Sequence, residues 1–125
     1  MNKKRQIEYW VKNADDDIET ARLLIEADRI LHGLFFCHLV IEKALKAHFV
    51  KTNNEIAPKT HNLLYLSDKT SLIFSDDMNI FLGILMNYQL QGRYPDYNPQ
   101  IPGKIKAEEY FEKTQQLLVW LKEKL

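Results

Sequence analysis

The chain is poor in cysteine, in net charge and in long apolar runs, and each shortage removes a class of protein. Its single cysteine, Cys37, cannot form an internal disulfide, so a reducing, cytoplasmic setting is the default. Seventeen basic and seventeen acidic side chains cancel. No global field draws the molecule onto nucleic acid or an anionic membrane; such binding must use a local patch, and DNA is not an expected partner. The longest near-continuous apolar run, Leu34 to Ile41, is interrupted by His38 and falls far below the roughly 20 residues that span a bilayer. The N-terminal MNKKRQIEYW has no apolar stretch of the signal-peptide kind. Internal repeats, linkers and low-complexity tracts are missing as well, so 125 residues are expected to form one domain over 1–125, large enough to bury a core without staples.

Several standard sites are also lacking. There is no Walker loop and no GxGxxG, hence no ready backbone cradle for phosphate. No CxxC, HExxH or Glu-x-x-His pair occurs, which argues against a zinc site or a di-iron bundle. His38 and Glu42 can offer two ligands, but nothing at helical spacing completes a set, so neither metal nor cofactor is expected. A nucleophile elbow is absent too.

What is present is helical periodicity. The segment Leu34–Phe49, LFFCHLVIEKALKAHF, organises the rest. Leu34, Cys37 or His38, Ile41, Ala44 or Leu45 and His48 recur at helical spacing, and Ala44, Leu45 and Ala47 are intrinsic helix formers. Cys37 reads as core packing. His38, Glu42 and Lys46 lie four apart and share one stripe, either a site or an exposed edge.

Before this segment, Ile7, Val11, Ala14, Ile18, Ala21 and Ile25 form an amphipathic stripe, which predicts a first helix from about Lys4 to Asp28, widened by Trp10 and Leu24. The adjacent Asp15, Asp16 and Asp17 point in different directions on a helix and read as a solvated acidic face. Ala27 to Gly33 breaks the pattern, with Gly33 able to end or cap a helix, and the short connection implies that the second helix runs back antiparallel. Asn53, Asn54 and Pro58 mark a loop. A short third helix is expected from Thr60 as N-cap, with His61 a structural residue at its entrance. Ser75 caps a fourth, whose buried face is Met78, Phe81, Leu82, Leu85 and Tyr88 and which ends at Gly92. A last helix, about Lys104 to Lys124, carries the stripe Ala107, Tyr110, Phe111, Thr114, Leu117, Leu118, Leu121 and Leu125, with Val119 and Trp120 forming an edge for a partner. The expected fold class is all-α, an antiparallel up-and-down bundle of four long helices and one short helix.

Prolines and glycines number four each, and three of those prolines and two of those glycines fall within Gly92–Gly103, GRYPDYNPQIPG. Pro95 pushes Tyr94 into an extended conformation, and a connection this long in a small helical domain is often functional. Arg93 stands at its entrance. Its guanidinium suits phosphate; equally, it can bond the last carbonyls of the preceding helix or pair with Glu42 or an aspartate. Tyr94 and Tyr97 can stack on bases. Among reactions needing no cofactor, RNA cleavage fits such a set, because the 2′-hydroxyl is the nucleophile and the protein adds only a base or acid and a cation.

These residues together resemble the HEPN domain family of small helical bundles. Trp10, Ala14, Asp16 or Asp17 and Ala21 are similar to its first helix, and Cys37-His38 followed by Glu42-Lys43-Ala44-Leu45-Lys46-Ala47 to its second. His61-Asn62-Leu63 resembles the next helix entrance, and Arg93-Tyr94-Pro95-Asp96 the start of its signature loop. The resemblance implies a homodimer that brings two loops to a shared cleft. It also implies, for many members, a minimal nucleotidyltransferase as partner in a two-component, toxin–antitoxin module. Many members are endoribonucleases that use an arginine followed, after four to six residues, by a histidine. Here Arg93 matches, but no histidine follows it; Asn98 stands at the four-residue spacing and cannot act as a base near neutral pH.

Three readings follow. In the leading one, a homodimer binds nucleotide, RNA or a nucleotidyltransferase partner in a cleft lined by Arg93, Tyr94, Asp96, Glu42 and Lys46, with Tyr97, Asn98 and His38 in the same ligand-binding set. Arg93 holds phosphate, Tyr94 or Tyr97 stacks, and Glu42 orients Arg93 or His38. In the second, a metal-independent ribonuclease uses Arg93 and a relocated histidine, His38. In the third, a purely structural helical dimer, His38 and Glu42 satisfy each other or the backbone.

Overall fold

The computed structural model describes residues 1–125. Five helices and no strand make up the chain: α1 (Lys3–Glu26), α2 (Ile30–Asn53), α3 (Leu63–Asp68), α4 (Asp76–Met86) and α5 (Lys104–Glu123). None is long and apolar enough to cross a membrane. Of the four helices expected to be long, α4 is the shortest, at 11 residues.

The long antiparallel pair α1 and α2 is the most extensively packed. The α1 stripe buries Ala14, Ile18, Ala21 and Ile25 as its spacing requires. The three aspartates beside it diverge: Asp15 pairs with Lys122, Asp16 with Lys12 and Asp17 with Lys43. The turn to α2 is tighter than the sequence suggests. Asp28 takes a left-handed conformation, φ 62°, and the Arg29 amide donates to the Leu24 carbonyl, closing α1 in a Schellman-like turn. Gly33 therefore does not end a helix. It lies inside α2, where a Cβ would stand 2.5 Å from Cγ1 of Ile25 and 3.2 Å from its amide nitrogen. The glycine is there for close approach.

Helix α2 is buried along nearly its whole length, from Leu34 through Val50. Leu34, Cys37, Ile41 and Leu45 are fully enclosed, and burial pushes the Cys37 thiol up to about 12 against a hydrogen bond from Thr114. His48 is also enclosed; its Nε2–H donates to the Leu121 carbonyl at 2.7 Å and ties α2 to the end of α5.

Two helix ends differ from expectation. Asn62, not Thr60, caps α3: its Oδ1 accepts from the Tyr65 amide at 3.0 Å, while the Thr60 hydroxyl accepts from the Asn62 amide. Ser75 caps α4 as its position suggests. That helix, however, stops at Met86 rather than Gly92, and Tyr88 is buried just beyond it. Trp120 packs against Phe74, ring centroids 5.4 Å apart, so it closes the core instead of forming a free edge.

Two outcomes follow from this packing. Gly33→Ala is expected to cost about 1–3 kcal/mol, despite the better helix propensity of alanine, because the clash is with the neighbouring turn; urea denaturation measures it. Burial also lowers the pKa of both His38 and His48 from 6.5. In the unfolded chain these rings take up protons at a higher pH than in the fold, so their contribution to stability is complete above about 6.5 and is lost as pH falls. The melting temperature is expected to drop between about pH 7 and about pH 5, less steeply in His48→Gln.

Candidate functional site

The stripe on α2 proves to be an interior feature. His38 is 0%, Glu42 4% and Lys46 6% exposed, which settles edge against site in favour of a buried polar cluster. The i, i+4 spacing puts Lys46 Nζ on Glu42 Oε2 at 3.1 Å. The second carboxylate oxygen is taken from outside the helix: Nδ1–H of His61 donates to Glu42 Oε1 at 2.9 Å. Glu42 thus spends both oxygens, one on a lysine of its own helix and one on the entrance to α3. Lys46 also lies over the Trp10 ring of α1, 5.2 Å from its centroid.

His38 is locked by the same segment. Its Nε2 meets the His61 backbone carbonyl at 3.0 Å, so Nε2 carries the proton. The bare Nδ1 then faces Glu42 Oε1 at 3.7 Å, lone pair toward carboxylate, with no hydrogen-bond partner. Desolvation lowers the His38 pKa; Glu42 and the His61 carbonyl oppose that, while His61 and Arg93 add to it. His38 and Glu42 therefore do not satisfy each other directly, and a fully enclosed ring offers no atom to a ligand.

His61 is the residue that sequence reasoning underrated. Its Nδ1 is held by Glu42, its carbonyl holds His38, and its side chain is 45% exposed. In the neutral ring this leaves Nε2 as a free lone pair. The available signal was the carboxylate itself. A glutamate in an apolar helix needs donors for both oxygens, and Lys46 supplies only one.

The loop residues explain where α4 stops. Arg93 donates from Nε to the Gln89 carbonyl at 2.9 Å and from Nη2 to the Met86 carbonyl at 3.4 Å. The Tyr97 hydroxyl donates to the Asn87 carbonyl. These side chains collect carbonyls that a longer helix would have used. The Tyr97 ring lies under the guanidinium, 4.2 Å from centroid to Cζ, so one face of it is taken by Arg93 rather than left for a base. Arg93 itself remains exposed, and its Nη1 has no protein partner. Tyr94 is 80% exposed, and Asp96 and Asn98 are exposed without side-chain bonds.

The stripe and the loop share no hydrogen bond or ion pair: Glu42 is taken by Lys46 and His61, Arg93 by the carbonyls of Gln89 and Met86, and the guanidinium is only a minor influence on the pKa of His38. Three buried side-chain polar atoms lack partners, Trp10 Nε1, His38 Nδ1 and Gln89 Nε2. Trp10 lies under Lys46, His38 faces Glu42, and Gln89 holds Arg93 through its carbonyl. Unsatisfied groups are rare in folded interiors, and two of these three, on Trp10 and His38, belong to residues beside the Glu42–Lys46 pair. A cavity of about 400 Å³ adjoins the loop on its Tyr97 side, lined also by Asn87, Tyr88, Pro99 and Tyr110. No group of three or more His, Cys, Asp or Glu is arranged to hold a metal ion.

The buried ion pair carries a measurable consequence. Lys46→Met strands the Glu42 charge and is expected to cost about 3–5 kcal/mol; Glu42→Gln/Lys46→Met removes both charges and recovers most of it. Chemical denaturation of the two variants gives the comparison.

Comparison with known proteins agrees with this architecture. The fold matches the crystal structure of TT1696 from Thermus thermophilus, with TM-score 0.81 and 23% identity over 100% of both chains. It also matches ST0689, an archaeal HEPN homologue, with TM-score 0.64 and 19% identity over 94% of this chain and 96% of that one. No curated protein sequence matches. The model of the HEPN domain matches residues 7–125, nearly the whole chain. A helical bundle built on a buried α2 and closed by an arginine-led loop, matched over that length, belongs to the HEPN domain family.

Proposed function

We propose that this HEPN-domain protein is a homodimer that binds the phosphate of a nucleotide or RNA at the Arg93 loop, and that its partner is a minimal nucleotidyltransferase in a two-component, toxin–antitoxin-like module. The observation that carries the binding role is the state of Arg93. Two of its nitrogens fix it to the end of α4 and Tyr97 stacks beneath it, yet Nη1 is free and exposed. A guanidinium held in place on one edge and open on the other loses little side-chain freedom when it grips phosphate. The exposed Tyr94 next to it is placed to stack on a base. Support for the dimer and for the nucleotidyltransferase comes from the family resemblance alone.

A second reading, a dimer with no ligand, is favoured by the carbonyl bonds of Arg93, which give that residue a structural task. Binding separates the two. Arg93→Ala is expected to weaken binding of a fluorescein-labelled oligoribonucleotide roughly 10- to 100-fold, the worth of one charge-assisted hydrogen bond. Arg93→Lys, which keeps charge but not the fork, is expected to fall between. Fluorescence anisotropy measures all three proteins, and equal dissociation constants would remove the ligand from the proposal.

A further inference from the structure

The cavity beside the loop has a lining that phosphate binding at Arg93 does not use. It measures about 400 Å³ and lies where the end of α4, the proline segment and the first turns of α5 meet. Three phenol rings, Tyr88, Tyr97 and Tyr110, wall it together with Pro99, Pro102 and Ile101. Tyr88 is only 7% exposed, and its ring centroid lies 6.4 Å from that of Tyr110. The Tyr88 hydroxyl bonds to nothing in the chain. It is nevertheless not an enclosed orphan like the atoms on Trp10, His38 and Gln89, so it opens on the cavity. Burial, and then the phenols of Tyr110 and Tyr97, push its pKa above the ordinary value, so the hydroxyl keeps its proton and can donate it to a hydrogen bond. A polar group set this deep without a protein partner calls for one from outside.

The rest of the lining narrows the choice. No lysine, arginine or carboxylate is part of it, and the remaining polar groups are the side-chain amides of Asn87 and Gln100. A charged group entering here would lose its hydration and gain no counter-ion. A sugar ring, polar at nearly every carbon, would bring more hydroxyls than one phenol and two amides can satisfy. Flat walls of phenol and proline suit a flat ring with a few polar edge atoms. We propose that this cavity binds an uncharged, flat heteroaromatic ring of nucleobase size, with a ring nitrogen or carbonyl oxygen accepting from the Tyr88 hydroxyl. Tyr97 links the cavity to the loop: its ring lines the one and lies under the Arg93 guanidinium of the other, 4.2 Å from centroid to Cζ. The ligand is then a nucleotide with its base inside and its phosphate outside on Arg93; that second half rests on the reading of Arg93 as the group that holds phosphate.

The test is NMR on the full chain with 13C-labelled tyrosine rings, titrated with adenosine, uridine, ribose 5-phosphate and adenosine 5′-monophosphate. The six tyrosines include their own controls. Either nucleoside is expected to shift Tyr88, Tyr97 and Tyr110 and to leave Tyr9 on α1 and Tyr65 on α3 unmoved; ribose 5-phosphate is expected to shift none of the three. Tyr88→Phe keeps the ring and is expected to weaken adenosine binding by about 3- to 10-fold, the worth of one neutral hydrogen bond. Ile101→Trp, at a wall residue 56% exposed, narrows the cavity and is expected to weaken it further, with thermal melting showing that both variants remain folded. No shift with either nucleoside would overturn the proposal, as would equal binding in wild type and both variants. A shift confined to Tyr94 would overturn it too, because the base would then stack on the outside of the loop. If adenosine 5′-monophosphate shifts the three cavity tyrosines but binds no tighter than adenosine, the cavity stands and it is the phosphate reading that fails.

Discussion

A carboxylate inside an apolar helix is the constraint from which the polar architecture follows. Glu42 sits among Val40, Ile41, Ala44 and Leu45, where an unpaired charge would be prohibitive. One partner comes from its own helix, Lys46, four residues on. The other comes from nineteen residues downstream, His61, which brings the entrance of α3 against α2. That contact then places the His61 carbonyl over His38 and makes the third helix part of the site. Removing the charge pair together would relieve a desolvation cost, and its presence is therefore better understood through what it orients than through net stability.

A second set of constraints comes from the end of α4. The helix contains no proline, yet it stops at Met86 because Arg93 and Tyr97 supply hydrogen bonds to the carbonyls of Met86, Asn87 and Gln89. Gly92, at φ 74°, turns the chain back so that the arginine can reach them. The prolines that follow keep the segment from resuming a helix until Gly103. The loop is thereby fastened to the body of the protein at the residue proposed to hold phosphate, and the cation is oriented before any ligand arrives.

These two constraints meet around His38. Its ring is gripped from one side by the α3 entrance and sits within the field of both Glu42 and Arg93. It does no work on the surface. Its place is to register α3 against α2, leaving the more exposed His61 to face outward. A family pattern that puts a histidine after the loop arginine finds none here, since His61 is the last histidine in the chain.

Sequence alone determined the helices, because an apolar stripe at 3.6-residue period has only one way to be buried. The stripes at Ile7–Ile25 and Ala107–Leu121 and the cap at Ser75 were legible for that reason. Legible too were the cluster His38/Glu42/Lys46 as a unit and Arg93 as a residue with two possible duties. Helix ends were less legible: Gly33 lies within α2 and α4 stops six residues before Gly92, because close approach to Ile25 and side chains from the loop decide those positions. Only tertiary structure decided which donors Glu42 takes, and so which histidine is buried and which is presented. Local spacing fixes neighbours three or four residues apart; the partner of a buried charge is chosen by whichever segment the core packing brings within reach.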